Sequence, residues 1–149
     1  MTLYFHNLYF RGRLKNAHFD NMCVDHLQRD EAHKMKRYVL GQYMCHAFQG
    51  NSQYFTLSKK SQLRNEYMCA KVDHSEITMI GCDQNDGNYS TKWEWIAKGD
   101  RKGLLKHLSS GKCLKPDENH NGVNLLVDDC DESNEKLVWQ FDFSEDHPA

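Results

Sequence analysis

Asn21-Met22-Cys23-Val24-Asp25, Tyr67-Met68-Cys69-Ala70-Lys71 and Gly111-Lys112-Cys113-Leu114-Lys115 are three versions of one pattern. Each sets a cysteine before an apolar residue and then a charged one. From Cys23 to Cys69 is 46 residues, and from Cys69 to Cys113 is 44. A near-constant period of this length marks repeated supersecondary units. Each row then carries a short apolar run and a second cysteine: Tyr38-Val39-Leu40 before Cys45, Ile77-Thr78-Met79-Ile80 before Cys82, and Val123-Asn124-Leu125-Leu126-Val127 before Cys130. A polar Gly/Asn/Asp turn follows, and after it an aromatic segment. Those segments are Gln53-Tyr54-Phe55-Thr56-Leu57, Lys92-Trp93-Glu94-Trp95-Ile96 and Val138-Trp139-Gln140-Phe141, and they hold all three tryptophans.

The segments read as strands of four to six residues, alternating or continuously apolar and bounded by turn residues. Residues 27–37 come nearest to a helical period, but they are too polar to bury a face. With two prolines and nine glycines, the turns rest largely on Asn, Asp and Ser. The chain is therefore all-β. Propeller blades have a similar repeat length, but three blades fall short of the usual minimum. Three short-stranded units closing on a pseudo-threefold axis fit better. Six cysteines allow 15 pairings. The repeat favours one bridge within each row: Cys23–Cys45, Cys69–Cys82 and Cys113–Cys130. No two cysteines stand as C-x-x-C, which argues against a zinc ribbon or a thioredoxin-type site. An even count spread along the chain favours disulfides in an oxidising compartment over thiols packed as small hydrophobes.

At 149 residues, 39% hydrophobic and 27% charged, the chain is the size and composition of one globular domain. A net charge of −2, with both signs interspersed, offers no field for nucleic acid or anionic membrane. No apolar run approaches the roughly 20 residues of a membrane span, and the first residues lack the pattern of a signal peptide. His6-Asn7-Leu8-Tyr9-Phe10-Arg11-Gly12 resembles an altered protease-cleavage tag. Residues 1–11 are accordingly read as a leader and 12–149 as the domain, with repeats at about 12–58, 59–101 and 102–143. Disulfides without a targeting signal suggest a fragment of a larger secretory-pathway protein.

The pattern resembles the ricin-type β-trefoil, whose repeats carry Cys-Leu-Asp at the first cysteine and Gln-x-Trp in the last strand. Row one has Cys23-Val24-Asp25 and Gln53-Tyr54-Phe55, while the other rows keep the tryptophan without the glutamine. Within that family the chain is similar to the C-terminal lectin domain of the polypeptide N-acetylgalactosaminyltransferases. Gly12-Arg13-Leu14-Lys15-Asn16 resembles the start of that domain. Tyr43-Met44-Cys45-His46 with Gly50-Asn51 resembles its first-repeat sugar site. Leu104-Leu105-Lys106-His107-Leu108 running to Cys113-Leu114 resembles the join of its second and third repeats. The resemblance implies a β-trefoil that binds N-acetylgalactosamine (GalNAc) on O-glycosylated peptides. It also implies a covalently linked catalytic domain using Mn2+ and UDP-GalNAc, and residence in the Golgi lumen. This domain itself is expected to be a monomer with no cofactor, no catalysis and no contact with nucleic acid or membrane.

A trefoil lectin cup needs a carboxylate to accept from adjacent sugar hydroxyls, an amide that donates and accepts, and a flat aromatic face for the apolar side of the ring. Row one offers Asp25 as carboxylate, Asn51 as amide, Tyr43 and His46 as platform and wall, and Gln53 behind them as an orienting group. Each has a plainer reading. Asp25 is otherwise a solvated turn residue, Asn51 the second member of a Gly-Asn turn, Tyr43 strand packing and His46 a surface side chain. Ser52 separates the asparagine and glutamine that are adjacent in the family. The nine histidines are scattered and show no metal-ligand spacing. Rows two and three carry Lys71 and Lys115 where row one has Asp25, and a lysine accepts nothing. Only a shifted Asp73 or Asp117 could replace the carboxylate there. Trp93, Trp95 and Trp139 are expected in the core. One shallow cup implies millimolar binding, about −4 kcal/mol. Two other readings share the fold: a carbohydrate-binding module of another secreted enzyme, and a vestigial trefoil used for protein contact.

Overall fold

A computed structural model describes residues 8–30, 36–46, 51–74, 76–82 and 89–142. The first repeat comprises β1 (Leu8–Asn16), β2 (Met22–Asp30), β3 (Lys36–Met44) and β4 (Phe55–Ser58). The second comprises β5 (Leu63–Asn65), β6 (Met68–Asp73), β7 (Glu76–Gly81) and β8 (Trp93–Gly99). The third comprises β9 (Lys102–His107), β10 (Lys112–Lys115), β11 (Val123–Asn124), β12 (Leu126–Asp129) and β13 (Val138–Asp142). A short 3-10 turn precedes the last strand of each repeat: Asn51–Gln53, Tyr89–Thr91 and Glu135–Leu137.

Six strands close a ring. β1 pairs with β4 and β13, β4 with β5, β8 with β9, and β9 with β13; a Gln62–Lys92 bridge joins the β5 and β8 sides. Closure leaves no strand edge open around the barrel. Three hairpins, β2–β3, β6–β7 and β10–β12, stand on this ring, one from each repeat. The fold is the β-trefoil that the repeat implied.

Equivalent positions fill the core. Leu14, Leu63 and Leu105 are fully buried, as are Val24, Ala70 and Leu114 immediately after the first cysteines. Phe55, Trp93 and Trp139 occupy one position of the last strand and are also buried. Both buried indoles find an acceptor, because an unpaired N–H inside the core would be costly. Trp93 Nε1 donates to Ala70 O at 3.1 Å and Trp139 Nε1 to Leu114 O at 3.0 Å. Phe55 has no N–H to satisfy at that position. Trp95 is half-buried and packs with Phe10 and Phe141, so the three repeats each contribute a ring to one cluster.

The three bridges are Cys23–Cys45, Cys69–Cys82 and Cys113–Cys130, closing loops of 22, 13 and 17 residues. Loops of this length contribute on the order of 3 kcal/mol each in the chain-entropy picture. Repeats are also clasped to one another through the last residue of their first strand. Asn16 Nδ2 donates to Lys136 O, Asn65 Nδ2 to Tyr54 O, and His107 Nε2 lies 2.7 Å from Ser90 O. Burial holds the His107 imidazole below its ordinary pKa, opposed in part by its bond to Ser90.

Two local features depart from the sequence reading. The first hairpin is longer than four to six residues, with nine in each strand, and takes in Leu27–Asp30 and Lys36–Tyr38. Backbone pairing carries this extension, so it needs no apolar face. The run Val123–Val127 is broken at Leu125, whose N–H turns to Leu40 O at 3.0 Å and whose side chain is buried.

Candidate functional site

Gln53 is not in the aromatic strand. It closes the 3-10 turn before it, and its amide is wholly buried. All its polar contacts point the same way. Nε2 donates to Asp25 Oδ2 at 2.9 Å and to Met44 O at 3.0 Å, and Oε1 accepts from His46 N at 2.9 Å. Three bonds fix the amide's orientation. The glutamine thus ties the β2 carboxylate to the chain leaving β3, beside the Cys23–Cys45 bridge.

Asp25 is only 4% exposed. It stands opposite Gly41 in the β2–β3 ladder. A side chain at Gly41 would collide with its surroundings: a Cβ there would fall 2.2 Å from Leu27 Cδ1 and 2.8 Å from Val123 O. This close approach requires glycine. Above the carboxylate lies an open concavity of about 310 Å3, lined by Asp25, His26, Leu27, Tyr43, His46 and Ser52. Tyr43 is 39% exposed. Its ring meets His46 edge-on, with centroids 6.0 Å apart. The cup therefore combines an oriented carboxylate, an aromatic rim and a hydroxyl. The backbone of Asn51 lies in the same 3-10 turn; its side chain is outside the described residues.

Further residues complete the surroundings of the cup. Ser52 joins the lining beside Asn51. Arg13, on β1, donates to His46 O and to Asp142 at 2.7 Å, bracing the His46 turn from the first–third repeat seam. His26, which also lines the concavity, holds its Nδ1 2.7 Å from Asn65 Oδ1. The third repeat also reaches the rim. Buried Gln42 donates through Nε2 to Glu118 O and His120 O and accepts from Asp117 N, while Met44 N donates to Asn121 Oδ1.

Strand register gives the counterparts of these residues in the other repeats. Asp25 corresponds to Lys71 and Lys115, and Tyr43 to Ile80 and Asp128. Position in the 3-10 turn pairs Gln53 with Thr91 and Leu137. In the third repeat Lys115 Nζ lies 3.1 Å from Asp128 Oδ2. The backbone N–H of Asp129 and then the Lys115 ammonium hold the Asp128 carboxyl below its ordinary pKa. The two possible replacement carboxylates lie elsewhere. Asp73 is exposed near the end of the second hairpin beside His74, and the Asp117 backbone is docked on Gln42. Among the described residues, no group of three or more His, Cys, Asp or Glu could hold a metal ion.

Comparison with known proteins agrees with this architecture. The model of the ricin-type β-trefoil lectin domain matches residues 10–139. A probable N-acetylgalactosaminyltransferase 9 of Caenorhabditis elegans is 34% identical over 120 residues, which is 80% of this chain and 19% of that protein. A putative polypeptide N-acetylgalactosaminyltransferase 9 of Drosophila melanogaster is 31% identical over 129 residues, 86% of this chain and 18% of that protein. The chain thus spans about a fifth of the length of these curated relatives. The crystal structure of GalNAc-T7 with UDP, GalNAc and Mn2+ superposes with a TM-score of 0.70 at 20% identity, covering 91% of this chain and 23% of that one. At that identity the likeness is one of fold.

Proposed function

The chain belongs to the ricin-type β-trefoil lectin domain family, and from that premise we propose that its first repeat binds a single GalNAc residue carried on an O-glycosylated peptide. The observation that carries the reading is the lock of Gln53 on Asp25. A buried carboxylate with one oxygen held by a neutral amide keeps acceptor capacity for two adjacent sugar hydroxyls, and bonds to an ionised acceptor are the stronger kind. Tyr43 supplies the face for the apolar side of the pyranose, His46 and Ser52 form the wall, and Asn51 donates from the turn. Gln53 is a positioning residue that orients Asp25 without reaching the ligand.

In this reading the domain has no catalysis of its own. The parent is a polypeptide GalNAc-transferase whose separate catalytic domain uses Mn2+ and UDP-GalNAc, in the Golgi lumen of the secretory pathway. The disulfides fit an oxidising compartment. A weak lectin still has a large effect when tethered, because holding one GalNAc raises the effective concentration of nearby acceptor Ser and Thr residues at the linked domain. The proposed domain of 12–149 is extended at its start to take in β1 from Leu8, whose Phe10 packs with Trp95 and Phe141.

Chromatography of the domain on immobilised GalNAc tests the reading. Wild type is expected to be retarded and released by free GalNAc but not by glucose, while a folded Asp25→Ala variant elutes in the void. Passage of the wild type without retardation would leave the trefoil as a protein-contact module.

A further inference from the structure

The rim of the first-repeat cup is built in part by the third repeat. Gln42 is completely buried, and its side chain makes three bonds to the backbone of the loop that runs from Asp117 to His120. The same loop returns Gly122 N to Gln42 O at 2.8 Å, and β11 then pairs with β3. A Cβ at Gly122 would sit 3.9 Å from Tyr43 Cε2, so this loop lies along one edge of the platform ring. The same ring meets His46 edge-on. Gln42 has apolar counterparts in the other repeats, Met79 and Val127, so the anchor belongs to the first repeat alone.

Asn121, within this loop, is exposed, and its Oδ1 accepts from Met44 N at 2.8 Å. That bond orients the amide: with Oδ1 committed to the strand, Nδ2 carries two protons that no described residue accepts. The amide lies beside the exposed Met44, and the next residue, Gly122, approaches the Tyr43 ring. In GalNAc, whose C2 carries an acetamido group, the adjacent ring hydroxyls are those on C3 and C4, across the ring from the anomeric carbon. A sugar anchored through such hydroxyls on Asp25, at the floor, therefore sends its substituent toward the rim.

We infer that Asn121 is a specificity-determining residue, donating through Nδ2 to a backbone carbonyl of the peptide that carries the sugar. The inference rests on the reading of the cup as a sugar site. It makes the third repeat, which has lost its own cup, a contributor to recognition by the first.

NMR titrations of wild type, Asn121→Asp and Asp25→Ala with methyl α-GalNAc and with GalNAc-α-O-threonine in a glycine-flanked peptide test it. Asn121→Asp keeps an oxygen for Met44 N and replaces the donor with a carboxylate oxygen, adding one negative charge for which the uncharged methyl glycoside is the control. Wild type is expected to bind the glycopeptide about fivefold more tightly than the methyl glycoside, the worth of one net hydrogen bond. The Asn121 side-chain NH2 signals should move with the glycopeptide alone. Asn121→Asp should bind the methyl glycoside as wild type does and lose the fivefold gain. An unchanged gain in Asn121→Asp, or equal movement of the NH2 signals with both ligands, overturns the role of Asn121. Equal wild-type affinity for both ligands also overturns it while the cup stands. No wild-type binding of either ligand removes the cup itself.

Discussion

The first and third repeats share a backbone and differ in what their hairpins present. In the first, Asp25 is buried beneath an open cup and held by a neutral amide, and Tyr43 stands over it. In the third, the same three positions are Lys115, Leu137 and Asp128, and the two charged groups neutralise one another. The third repeat has not left an unfilled hole. An ion pair spans the ladder positions, and Leu137 is packed in a small core with Leu104 and Val138. A trefoil can therefore lose a cup at little structural cost, because hairpin and disulfide do not depend on cup chemistry. The functional residues of the first repeat are correspondingly separable from those that hold the barrel.

The strongest break of this contrast is Asp25→Lys, which gives the first repeat the residue found in the other two. With two charge-assisted bonds gone, GalNAc affinity should fall at least about a hundredfold, beyond detection in an NMR titration. The disulfides and barrel core should remain, as read by near-UV circular dichroism. Gln53→Leu, the third repeat's residue, should weaken sugar binding about tenfold while Asp25 remains. It should also lower unfolding free energy by about 2 kcal/mol, since it leaves the buried Asp25 oxygen, Met44 O and His46 N without their partner. Urea denaturation of the variant checks the second figure.

Restoring chemistry in the third repeat should be harder than removing it from the first. Lys115→Asp alone sets two carboxylates side by side with no glutamine behind them. It should create no second sugar site and lower the melting temperature slightly through like-charge repulsion across the ladder. Sugar stoichiometry from the titration and a thermal melt are the readouts.

The smallest effect concerns His107, whose counterparts Asn16 and Asn65 make the same clasp without a titrating group. Its folded pKa lies below the unfolded value, so the unfolded chain binds more protons in the window between them. The His107 contribution is full above about pH 6.5 and is lost as pH falls below it. Tm should drop between pH 7.5 and pH 5, and His107→Asn should shrink that drop. An equal drop in the variant assigns the acid sensitivity to other groups.

How much of this was legible in the sequence follows from where each signal lies. Asp25, Tyr43 and His46 are each fixed by distance from a disulfide cysteine, so one repeat unit suffices to find them. The disulfide pairing and the buried Trp93 and Trp139 follow from the same alignment of rows. Gln53 was found, but as part of a strand rather than a 3-10 turn. Its counterparts Thr91 and Leu137 fall one residue before the aromatic windows, and so the change from amide to apolar side chain was not visible there. Arg13, Gln42 and Asn121 carry no local signal. Arg13 joins His46 across 33 residues and Gln42 joins His120 across 78. Such contacts exist only once the ring has closed and the third repeat lies against the first.

The central claim is that only the first repeat works, and a 15N-HSQC titration with GalNAc, with glucose as control, tests it most directly. The account predicts saturable GalNAc shifts at Asp25, Tyr43, His46 and Ser52, extending to the Gly122 backbone at most, while the Asn121 side-chain NH2 stays in place. Lys71, Ile80, Lys115 and Asp128 should not move. Saturable shifts centred on the second or third repeat, or none anywhere at tens of millimolar sugar, would contradict it.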